Sequence, residues 1–316
     1  MLITIGAFDG FHKGHRELLR ICRENAGDDW AVVTFEPHPS AFMGRIKPLF
    51  TLRERELIRR VLGVPKMYVL RFDEALMNLS PAKFWRLLRE RLNVDGLVVG
   101  NDFRFGYGRE GNAEALRELA QSDGLTRIII ADVLNKPRYS SSTVRENITA
   151  GNVSEAARIL GYPFFMMSRV VHGDGRGRTL GFPTANLELQ AGRVIPACGV
   201  YSSAVFVKGA WHCGALSLGS NPTFHDVDGT RAEVHLPGFS GDIYGEEVIT
   251  LLLGRVRDIM TFPDKDALIS QIGHDTETCM RIYGEVMSRE DTQHFTECAG
   301  KYISHGIITP EIINLT

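Results

Sequence analysis

Two histidines in a glycine-rich loop are the residues best suited to chemistry near the start of the chain. His12 and His15 follow a strand-like run, Leu2 to Ile5, in a segment where glycine recurs at every fourth position up to Gly14. A helix is predicted to begin there, so a bound phosphate would meet free backbone N–H groups and the positive end of the helix. The two imidazoles would face one way and could donate hydrogen bonds to a phosphate as its charge grows. The alternative is a tight turn that carries surface histidines.

Two oxygen-bearing side chains in the second half of the chain form another candidate site. Thr184 and Asn186 occupy alternate positions of an extended segment. Their side chains therefore face the same side, where a hydroxyl and an amide oxygen could both reach one Mg²⁺ that keeps its waters and nucleotide phosphates. The stretch before them is rich in glycine, at positions 173, 175 and 177. No strand-helix-strand unit surrounds these glycines, so a hairpin loop explains them better than a dinucleotide site.

The first half of the chain alternates short apolar runs with amphipathic segments. The apolar runs read as buried strands and are Leu2 to Ile5, Trp30 to Phe35, Met67 to Phe72, Gly96 to Gly100 and Arg127 to Val133. Apolar residues have helical spacing in Gly14 to Asn25, Thr51 to Leu62, Pro81 to Leu92 and Asn112 to Gln121. This alternation predicts a Rossmann-like α/β domain with a parallel sheet, helices on both faces and a ligand site beyond the carboxyl ends of the strands.

The pattern changes after Leu160-Gly161-Tyr162-Pro163, where glycine and proline end a predicted helix. Beyond this point turns separate the strands, which favours a small antiparallel barrel or sandwich. The predicted strands are Phe164 to Val171, Gly199 to Val207, Trp211 to Leu218, Arg231 to Leu236 and Glu247 to Leu253. Helical spacing returns from Asp264 to Gln271 and, more weakly, from Thr276 to His305. The fold class is therefore α/β plus all-β with terminal helices, divided into residues 1–160, 161–285 and a helical tail at 286–316.

Length and composition fit a two-domain enzyme of a reducing compartment. The chain has 316 residues, and its formal net charge of -2 gives no general attraction to nucleic acid or to an anionic membrane. Five cysteines, an odd number without a C-x-x-C pair, argue against a disulfide framework and a zinc site. No signal peptide or membrane-spanning run is recognisable, so we expect a cytoplasmic protein with no membrane or nucleic-acid partner. The sequence does not indicate an oligomeric state.

The glycine-rich opening string resembles the signature of nucleotidyltransferases with an H-x-G-H motif, in the form typical of bacterial bifunctional riboflavin kinase/FMN adenylyltransferases. Segments 34–39, 99–106 and 140–145 resemble the same family in the expected order. The resemblance implies that the first domain joins ATP to FMN, giving FAD and pyrophosphate, with His12 and His15 as catalytic residues. It assigns ATP binding to Gly6, Phe8, Asp9, Gly10, His12, Gly14, His15, Ser142, Thr143 and Arg145. Taken alone, the serine-rich segment would also fit an ordinary helix N-cap.

The second half resembles riboflavin kinases over the run from Val170 to Asn186 and over segments 219–224 and 233–236. The resemblance implies that Thr184 and Asn186 bind Mg²⁺ together with ATP. The residues implied in ATP binding at this second site are Gly173, Gly181, Thr184 and Asn186. Glu233 would be the catalytic base that takes a proton from the terminal ribityl hydroxyl of riboflavin. A solvated strand glutamate is the alternative for Glu233.

The resemblance also implies flavin-binding residues, namely Phe35, Asp102, Phe105 and Arg257. Aromatic rings offer a stacking surface for an isoalloxazine. The phenylalanines could equally be core residues, and Arg257 could be a solvated charge at a strand end.

These patterns predict a bifunctional enzyme that phosphorylates riboflavin to FMN and adenylylates FMN to FAD. Its substrates would be riboflavin, FMN and ATP, with Mg²⁺ accompanying ATP. Two alternatives stay open: an FMN adenylyltransferase with weak or absent kinase activity, and a flavin-binding store without turnover. Ala7 and Ser168 depart from the family pattern, which more often has asparagine and glycine there.

Overall fold

The structure, a computed structural model, describes residues 1–132, 139–173, 177, 180–220, 230–304, 306, 310 and 312–313. Contacts between residues divide the chain into two units. The first comprises Met1–Ser141 together with Ile307–Thr316, and the second comprises Ser142–Gly306. Each unit contains a sheet of its own.

Strands and helices alternate in the first unit, and strands dominate the second. In chain order the described strands are β1 Leu2–Ile5, β2 Trp30–Glu36, β3 Lys66–Arg71, β4 Gly96–Gly100, β5 Arg104–Phe105, β6 Gly111–Asn112, β7 Arg127–Ala131, β8 Phe165–Val171, β9 Thr184–Leu187, β10 Gly199–Val207, β11 Ala210–Ser220, β12 Thr230–His235, β13 Glu247–Arg257 and β14 Ile312–Ile313. The described helices are α1 Lys13–Ala26, α2 Pro39–Phe42, α3 Leu52–Val61, α4 Glu74–Met77, α5 Pro81–Leu92, α6 Ala113–Ser122, α7 Ser141–Thr149, α8 Val153–Leu160, α9 Lys265–Met287 and α10 Glu290–Ser304.

The first unit is built around a parallel sheet with the strand order β14-β3-β2-β1-β4-β7. Within it, Ile3 of β1 pairs with Ala31 on one side and Leu97 on the other. Strands buried on both faces read as continuous apolar runs, which is the pattern that predicted them. The α/β prediction is confirmed, and β1 and β4 have the predicted bounds.

Two helices of the first unit begin where local sequence predicts a start. At α3, Oγ1 of Thr51 accepts a hydrogen bond from the N–H of Glu54 at 3.3 Å, and the Glu54 carboxylate accepts one from the Thr51 N–H at 2.8 Å. At α5, Oγ of Ser80 accepts a hydrogen bond from the N–H of Lys83 at 3.4 Å, and Pro81 is the first helical residue. A capping box and an N-terminal proline therefore fix both helix starts.

The second unit contains a closed barrel with the strand order β10-β11-β12-β9-β8-β13, in which every neighbouring pair is antiparallel. The sequence was compatible with either a barrel or a sandwich, and the structure shows a barrel. Closure joins the first and last strands of the sheet and so leaves no unpaired edge. The register of β9 against β12 sets Asn186 opposite Glu233 and Thr184 opposite His235.

Helices α9 and α10 pack on the barrel within the second unit. The helical spacing of apolar residues is weak after Asp275, but the structure has one continuous helix there, α9, from Lys265 to Met287. Phe295 of α10 stacks on Tyr162 with ring centroids 5.0 Å apart, and the indole N–H of Trp211 donates to the carbonyl oxygen of Thr296 at 3.2 Å. The tail is thus helical to Ser304, in agreement with the prediction.

The end of the tail differs from the helical prediction. Ile312 and Ile313 form β14, which pairs in parallel with Val69 and Leu70 of β3. Two residues are too few to show an alternating pattern, and the strand obtains its partners from the edge of β3. Tertiary context alone makes this segment a strand.

Two candidate active sites

The loop between β1 and α1 has an unusual backbone. Phe8 and Phe11 have positive φ angles of 44° and 43°, and Gly10 between them has φ 98°. Such a conformation persists in residues other than glycine only where the surroundings enforce it. The rings of Phe8 and Phe11 are fully buried and stack with centroids 5.3 Å apart. Phe8, predicted to bind ATP, therefore directs its side chain into the core.

His12 and His15 lie together where this loop enters α1. His12 is the N-cap, and its Nδ1 accepts a hydrogen bond from the backbone N–H of His15 at 3.4 Å. Because Nδ1 accepts, a neutral His12 carries its proton on Nε2, which can donate to a ligand. The two rings stack with centroids 3.7 Å apart and 19° between their planes. Nδ1 of His15 is buried and has no hydrogen-bond partner among the described residues.

Both imidazoles are held neutral. Burial, and then the positive charge of Arg16, lowers the pKa of His12 to about 4. Burial lowers the pKa of His15 well below its ordinary value, and the adjacent His12 lowers it further. At neutral pH the pair therefore offers N–H donors beside the positive end of a helix, an arrangement suited to a phosphate that gains charge during a reaction.

The neutral histidines predict a loss of stability in mild acid. The unfolded chain protonates His12 near its ordinary pKa of 6.5, whereas burial keeps the folded pKa at about 4. The free energy of unfolding is therefore fully maintained above the unfolded pKa and falls as the pH drops between these two values, by about 3 kcal/mol for His12. Urea titrations across this range will measure the slope.

His12→Asn is the variant for this test, because asparagine keeps an N-cap acceptor but does not titrate. We expect a shallower loss of stability in acid than for the unmodified chain. An equal slope in both proteins would show that His12 is not the titrating group.

Glycine is favoured at three points of the loop by tight packing or by backbone angle. A Cβ on Gly14 would lie 3.1 Å from Nδ1 of His12 and 3.2 Å from the carbonyl oxygen of Tyr139. A Cβ on Gly6 would lie 3.2 Å from the ring of Phe8. Gly10 has the positive φ noted above. The glycine spacing therefore determines the shape of the loop, and the loop places the two histidines.

Asp9 fixes the loop from inside the unit. It is 1% exposed, and its carboxylate accepts hydrogen bonds from the backbone N–H of Leu49 at 3.0 and 3.1 Å and of Phe50 at 3.4 Å. Oγ of Ser141 donates to the carbonyl oxygen of Asp9 at 2.7 Å. Asp9 was predicted to bind ATP, and the structure adds a loop-holding role. Ser141 was missed, although it belongs to the serine-rich segment that the sequence singled out.

The other predicted ATP ligands of the adenylyltransferase site lie on α7. Ser142, Thr143 and Arg145 fall in its first turns, within the second unit. The buried side of α7 is formed by Val144 and Ile148. The role of the three polar residues in ATP binding stays a prediction.

A cavity of about 410 Å³ lies in the first unit at the carboxyl ends of the parallel strands. The phenylalanines that line it are Phe35, Phe72, Phe84, Phe103 and Phe105. Phe35 meets Phe72 edge-on with centroids 5.9 Å apart, and Phe103 stacks on Phe105 at 5.5 Å. Two residues predicted to bind flavin, Phe35 and Phe105, thus line one cavity while being largely buried. The predicted Asp102 is exposed and is not among the lining residues.

The rim of this cavity is positively charged. Arg45, Arg104 and Arg109 line it and are exposed, and the described lining residues include no carboxylate. An aromatic wall with a cationic rim suits a planar ligand that carries a negative charge. No sequence pattern indicated these arginines, because the small net charge of the whole chain conceals their local concentration.

The second candidate site lies on strands β9 and β12 of the barrel. Thr184 and Asn186 share a face of β9, and Glu233 stands directly opposite Asn186 on β12. Oγ1 of Thr184 donates to the Glu233 carboxylate at 3.2 Å. Glu233 also forms an ion pair with Arg231 at 3.3 Å. The structure therefore brings together the three residues that the sequence predicted for metal binding and base catalysis.

Asn186 has an unsatisfied oxygen. The residue is 9% exposed, and its Oδ1 is buried without a hydrogen-bond partner among the described residues. A buried polar atom without a partner costs about 1–3 kcal/mol, which a bound ligand would recover. The oxygen of Asn186 and the hydroxyl of Thr184 thus fit a hard cation that takes its other ligands from ATP and water.

Gly173, predicted to bind ATP, packs directly against Asn186. A Cβ at this position would overlap the side-chain amide of Asn186. We therefore expect Gly173→Ala to displace Asn186 and to slow riboflavin phosphorylation about 10–100-fold. Adenylylation of supplied FMN should proceed at the unmodified rate. Steady-state assays of both reactions will measure the effects.

Gly273→Ala is the matched control, because Gly273 lies in α9 and a Cβ there would meet open space. Alanine stabilises a helix relative to glycine, so both activities should persist. A Gly173→Ala protein with full kinase activity would show that Asn186 is not held by this contact.

A cavity of about 540 Å³ adjoins Thr184 in the second unit. Its walls include Ala185, Val234 and Tyr244. His172 stacks on Tyr244 with ring centroids 4.0 Å apart. Gly181, predicted to bind ATP, has φ 85° and nothing within 4 Å of a Cβ, so its backbone angle explains the glycine. Residues 174–176, 178–179 and 221–229, which include parts of the kinase-like segments, lie outside the described residues.

Arg257, predicted to contact flavin, forms a partly buried ion pair instead of ending in solvent. Its Nη2 and Nε donate to the carboxylate of Asp275 at 2.7 and 3.0 Å, and Gln271 donates to the same carboxylate at 2.9 Å. Arg257 also lies over the ring of Phe262 at 5.7 Å. The guanidinium thus joins the end of β13 to α9, and its flavin role stays a prediction.

Family models and known proteins account for both units. Residues 1–144 match the FAD synthetase model and residues 160–283 match the riboflavin kinase model. No helix of the described residues is long and apolar enough to cross a membrane. A solved structure named as a macrolide-efflux protein from Streptococcus pneumoniae is similar with a TM-score of 0.79 and 34% identity, over 88% of this chain and 93% of that chain.

Curated relatives match over nearly the whole length. The bifunctional riboflavin kinase/FMN adenylyltransferase of Listeria monocytogenes is 35% identical over 90% of this chain and 93% of its own. The corresponding enzyme of Escherichia coli is 36% identical with the same coverage. The chain therefore belongs to the family of bifunctional riboflavin kinase/FMN adenylyltransferases and is an enzyme that makes FMN from riboflavin and FAD from FMN.

Proposed function

We propose that FMN is adenylylated at the loop between β1 and α1. The observation that carries this assignment is the stacked pair of neutral imidazoles, His12 and His15, at the N-terminus of α1. A phosphate oxygen of FMN attacks the α-phosphorus of ATP, the bond to the bridging oxygen breaks, and pyrophosphate leaves. The attacking oxygen is already anionic and needs no protein base. The imidazole N–H groups and the helix end stabilise the charge that develops on the phosphate.

The aromatic cavity of the first unit is the proposed site of the flavin ring. Phe35 and Phe105 supply apolar ring surface. The cavity lies at the same edge of the sheet as the loop between β1 and α1 that carries His12 and His15, here called the histidine loop, because the carboxyl ends of parallel strands share one edge. Its arginine rim favours FMN, which carries a phosphate, over neutral riboflavin. The further ATP ligands that we propose in the first unit are Gly6, Gly10 and Gly14. The ATP-binding role of Ser142, Thr143 and Arg145 stays a prediction from the sequence.

Riboflavin phosphorylation is assigned to the barrel. Glu233 accepts the proton of the terminal ribityl hydroxyl, whose oxygen attacks the γ-phosphorus of ATP while ADP leaves. The hydrogen bond from Thr184 orients the Glu233 carboxylate. The cavity beside Thr184 is the proposed site of this ATP, and Gly173 and Gly181 are further proposed ATP-binding residues.

Thr184 and Asn186 are the proposed Mg²⁺ ligands. The described residues contain no group of three or more His, Cys, Asp or Glu side chains able to hold a metal ion, so an all-carboxylate cage is absent from that part of the chain. The unsatisfied Oδ1 of Asn186 supports a site that two protein oxygens share with nucleotide phosphates. Bound Mg²⁺ would neutralise phosphate charge.

We assign residues 1–160 to FMN adenylyltransferase, 161–285 to riboflavin kinase and 286–316 to the tail. Contacts instead divide the chain between Ser141 and Ser142, because α8 packs on β13, where Ser154 donates to the carbonyl oxygen of Leu253 at 3.5 Å. The cytoplasm is the proposed location, and the five free cysteines support a reducing compartment. No nucleic-acid or membrane partner is proposed.

One incubation tests the two-site assignment. Purified protein is mixed with riboflavin and ATP, with and without Mg²⁺, and the flavins are separated by chromatography. We expect FMN followed by FAD with Mg²⁺, and no FMN without it. FAD formed only from supplied FMN would remove the kinase assignment, and FMN formed at full rate in a chelator would remove the metal assignment.

A further inference from the structure

Helix α3 buries three consecutive charged residues, Glu54, Arg55 and Glu56. The two glutamates have local partners: Glu54 closes the capping box, and Glu56 pairs with Arg59 and with Arg60, which both lie on the same helix. Arg55 differs, because it is 2% exposed and its guanidinium reaches away from the helix. A buried arginine whose partners lie elsewhere in the unit needs an explanation beyond the stability of α3.

The partners of Arg55 are three consecutive residues at the carboxyl end of β2. Nη1 donates to Oγ1 of Thr34 at 3.2 Å and to the carbonyl oxygen of Phe35 at 3.1 Å. Nη2 donates to the carboxylate of Glu36. The planar guanidinium of Arg55 therefore holds the end of β2 through the side chains of Thr34 and Glu36 and the backbone of Phe35. Phe35 also forms part of the aromatic wall of the cavity.

Thr34 transmits this contact to the histidine loop. Its hydroxyl is fully buried and donates to the carbonyl oxygen of Ala7 at 2.9 Å. A hydroxyl has one proton, so the oxygen that gives it to Ala7 presents its lone pairs to Arg55. Ala7 immediately precedes Phe8, the first residue with a positive φ in the strained loop. Arg55 and Thr34 therefore supply one of the contacts that enforce the conformation carrying His12 and His15.

Two carboxylates keep the guanidinium charged. Burial lowers the pKa of Arg55, and the charges of Glu36 and Asp9 oppose that shift. Asp9 belongs to the histidine loop and Glu36 to the end of β2. The charge of Arg55 thus stands between the two segments that border the proposed adenylyltransferase site.

We propose that Arg55 is a positioning residue for FMN adenylylation. It acts through Thr34 to hold the histidine loop at a fixed distance from the aromatic wall that contains Phe35. The inference rests on the proposed adenylyltransferase site. Displacement of either segment by about 1 Å would misalign the FMN phosphate and ATP and cost up to about 100-fold in rate. Neither Arg55 nor Thr34 needs to touch a substrate.

Thr34→Val tests the proposal because valine keeps the shape of threonine but removes the hydroxyl. We expect kcat for FAD formation from FMN to fall about 10–100-fold, with a much smaller change in the KM for FMN. Thr34→Ser restores the hydroxyl and should restore most of the rate. Riboflavin phosphorylation by the same molecule, in the other unit, should not change and so serves as an internal standard for the amount of enzyme.

Thr4→Val is the matched control in the same sheet. Thr4 is fully buried in β1, and its Oγ1 has no hydrogen-bond partner among the described residues. Loss of that hydroxyl should leave FAD formation unchanged. A Thr34→Val protein that keeps its kcat and shows only a lower Tm would overturn the proposal, because its role would then be structural alone.

Arg55→Lys distinguishes the guanidinium fork from its charge. Lysine keeps the charge but carries all its donors on one nitrogen, so it cannot reproduce the contacts that Nη1 and Nη2 make in a fixed planar geometry. We therefore expect a loss similar to that of Thr34→Val. If both act through one relay, the double variant should be no slower than the slower single variant. Full activity of Arg55→Lys, or additive losses, would contradict the relay. Failure of the unmodified protein to form FAD would instead contradict the proposed function itself.

Discussion

Glu233→Gln should abolish riboflavin phosphorylation while FMN adenylylation continues. Glutamine keeps the size of the side chain and can still accept the hydrogen bond from Thr184, but it cannot take a proton from the ribityl hydroxyl. General base catalysis contributes about 10²–10⁴-fold, and we expect a loss of kcat in that range. The measurement is the initial rate of FMN formation from riboflavin, compared with the rate of FAD formation from supplied FMN.

The control for this variant is Glu188→Gln. Glu188 directly follows β9 and is exposed, so its neutralisation changes the charge near the barrel without changing the site. Both activities should be unaffected. Loss of FAD formation in Glu233→Gln, with the protein folded, would contradict the separation of the two reactions into two sites.

His15→Ala should give the opposite pattern, with FAD formation lost and riboflavin phosphorylation retained. Its imidazole is neutral and lies against His12, so alanine removes an N–H donor but no positive charge. Loss of one preorganised donor to a developing charge costs about 10²–10³-fold in kcat. Single-turnover formation of FAD from FMN and ATP will separate this chemical effect from product release.

Two further variants make the histidine result interpretable. His15→Gln keeps an N–H donor on a side chain of similar reach and should recover part of the rate. His274→Ala removes an exposed histidine of α9 and should change neither reaction. FAD formation by His15→Ala at nearly the unmodified rate would remove this histidine from the mechanism.

Much of the fold was predictable because its signals are local. The glycine spacing from Gly6 to Gly14, the Thr-x-x-Glu start of α3 and the apolar runs of the sheet each depend on neighbours in sequence. The same holds for the pairing of Thr184 with Asn186, which follows from the alternation of side chains along a strand. Family resemblance then supplied the chemistry for these positions.

The undetected features depend on residues that are far apart in sequence. Arg55 contacts Thr34 across a separation of 21 residues, and Arg257 contacts Asp275 across 18. No local pattern distinguishes a buried arginine from a solvated one. The cationic rim of the aromatic cavity has the same origin, because Arg45 and Arg104 line one cavity only when the segments that follow β2 and β4 lie at one edge of the sheet. Such sites require the tertiary fold before their chemistry becomes visible.

Strand β14 has a consequence for the order in which the protein is completed during synthesis. Most of the first unit precedes the barrel in the sequence, yet its outermost strand, Ile312–Ile313, follows the barrel. Pairing of Ile312 with Val69 closes a loop that includes the whole barrel. The adenylyltransferase sheet therefore acquires its final edge only after the kinase barrel has been synthesised, although N-terminal domains generally fold first.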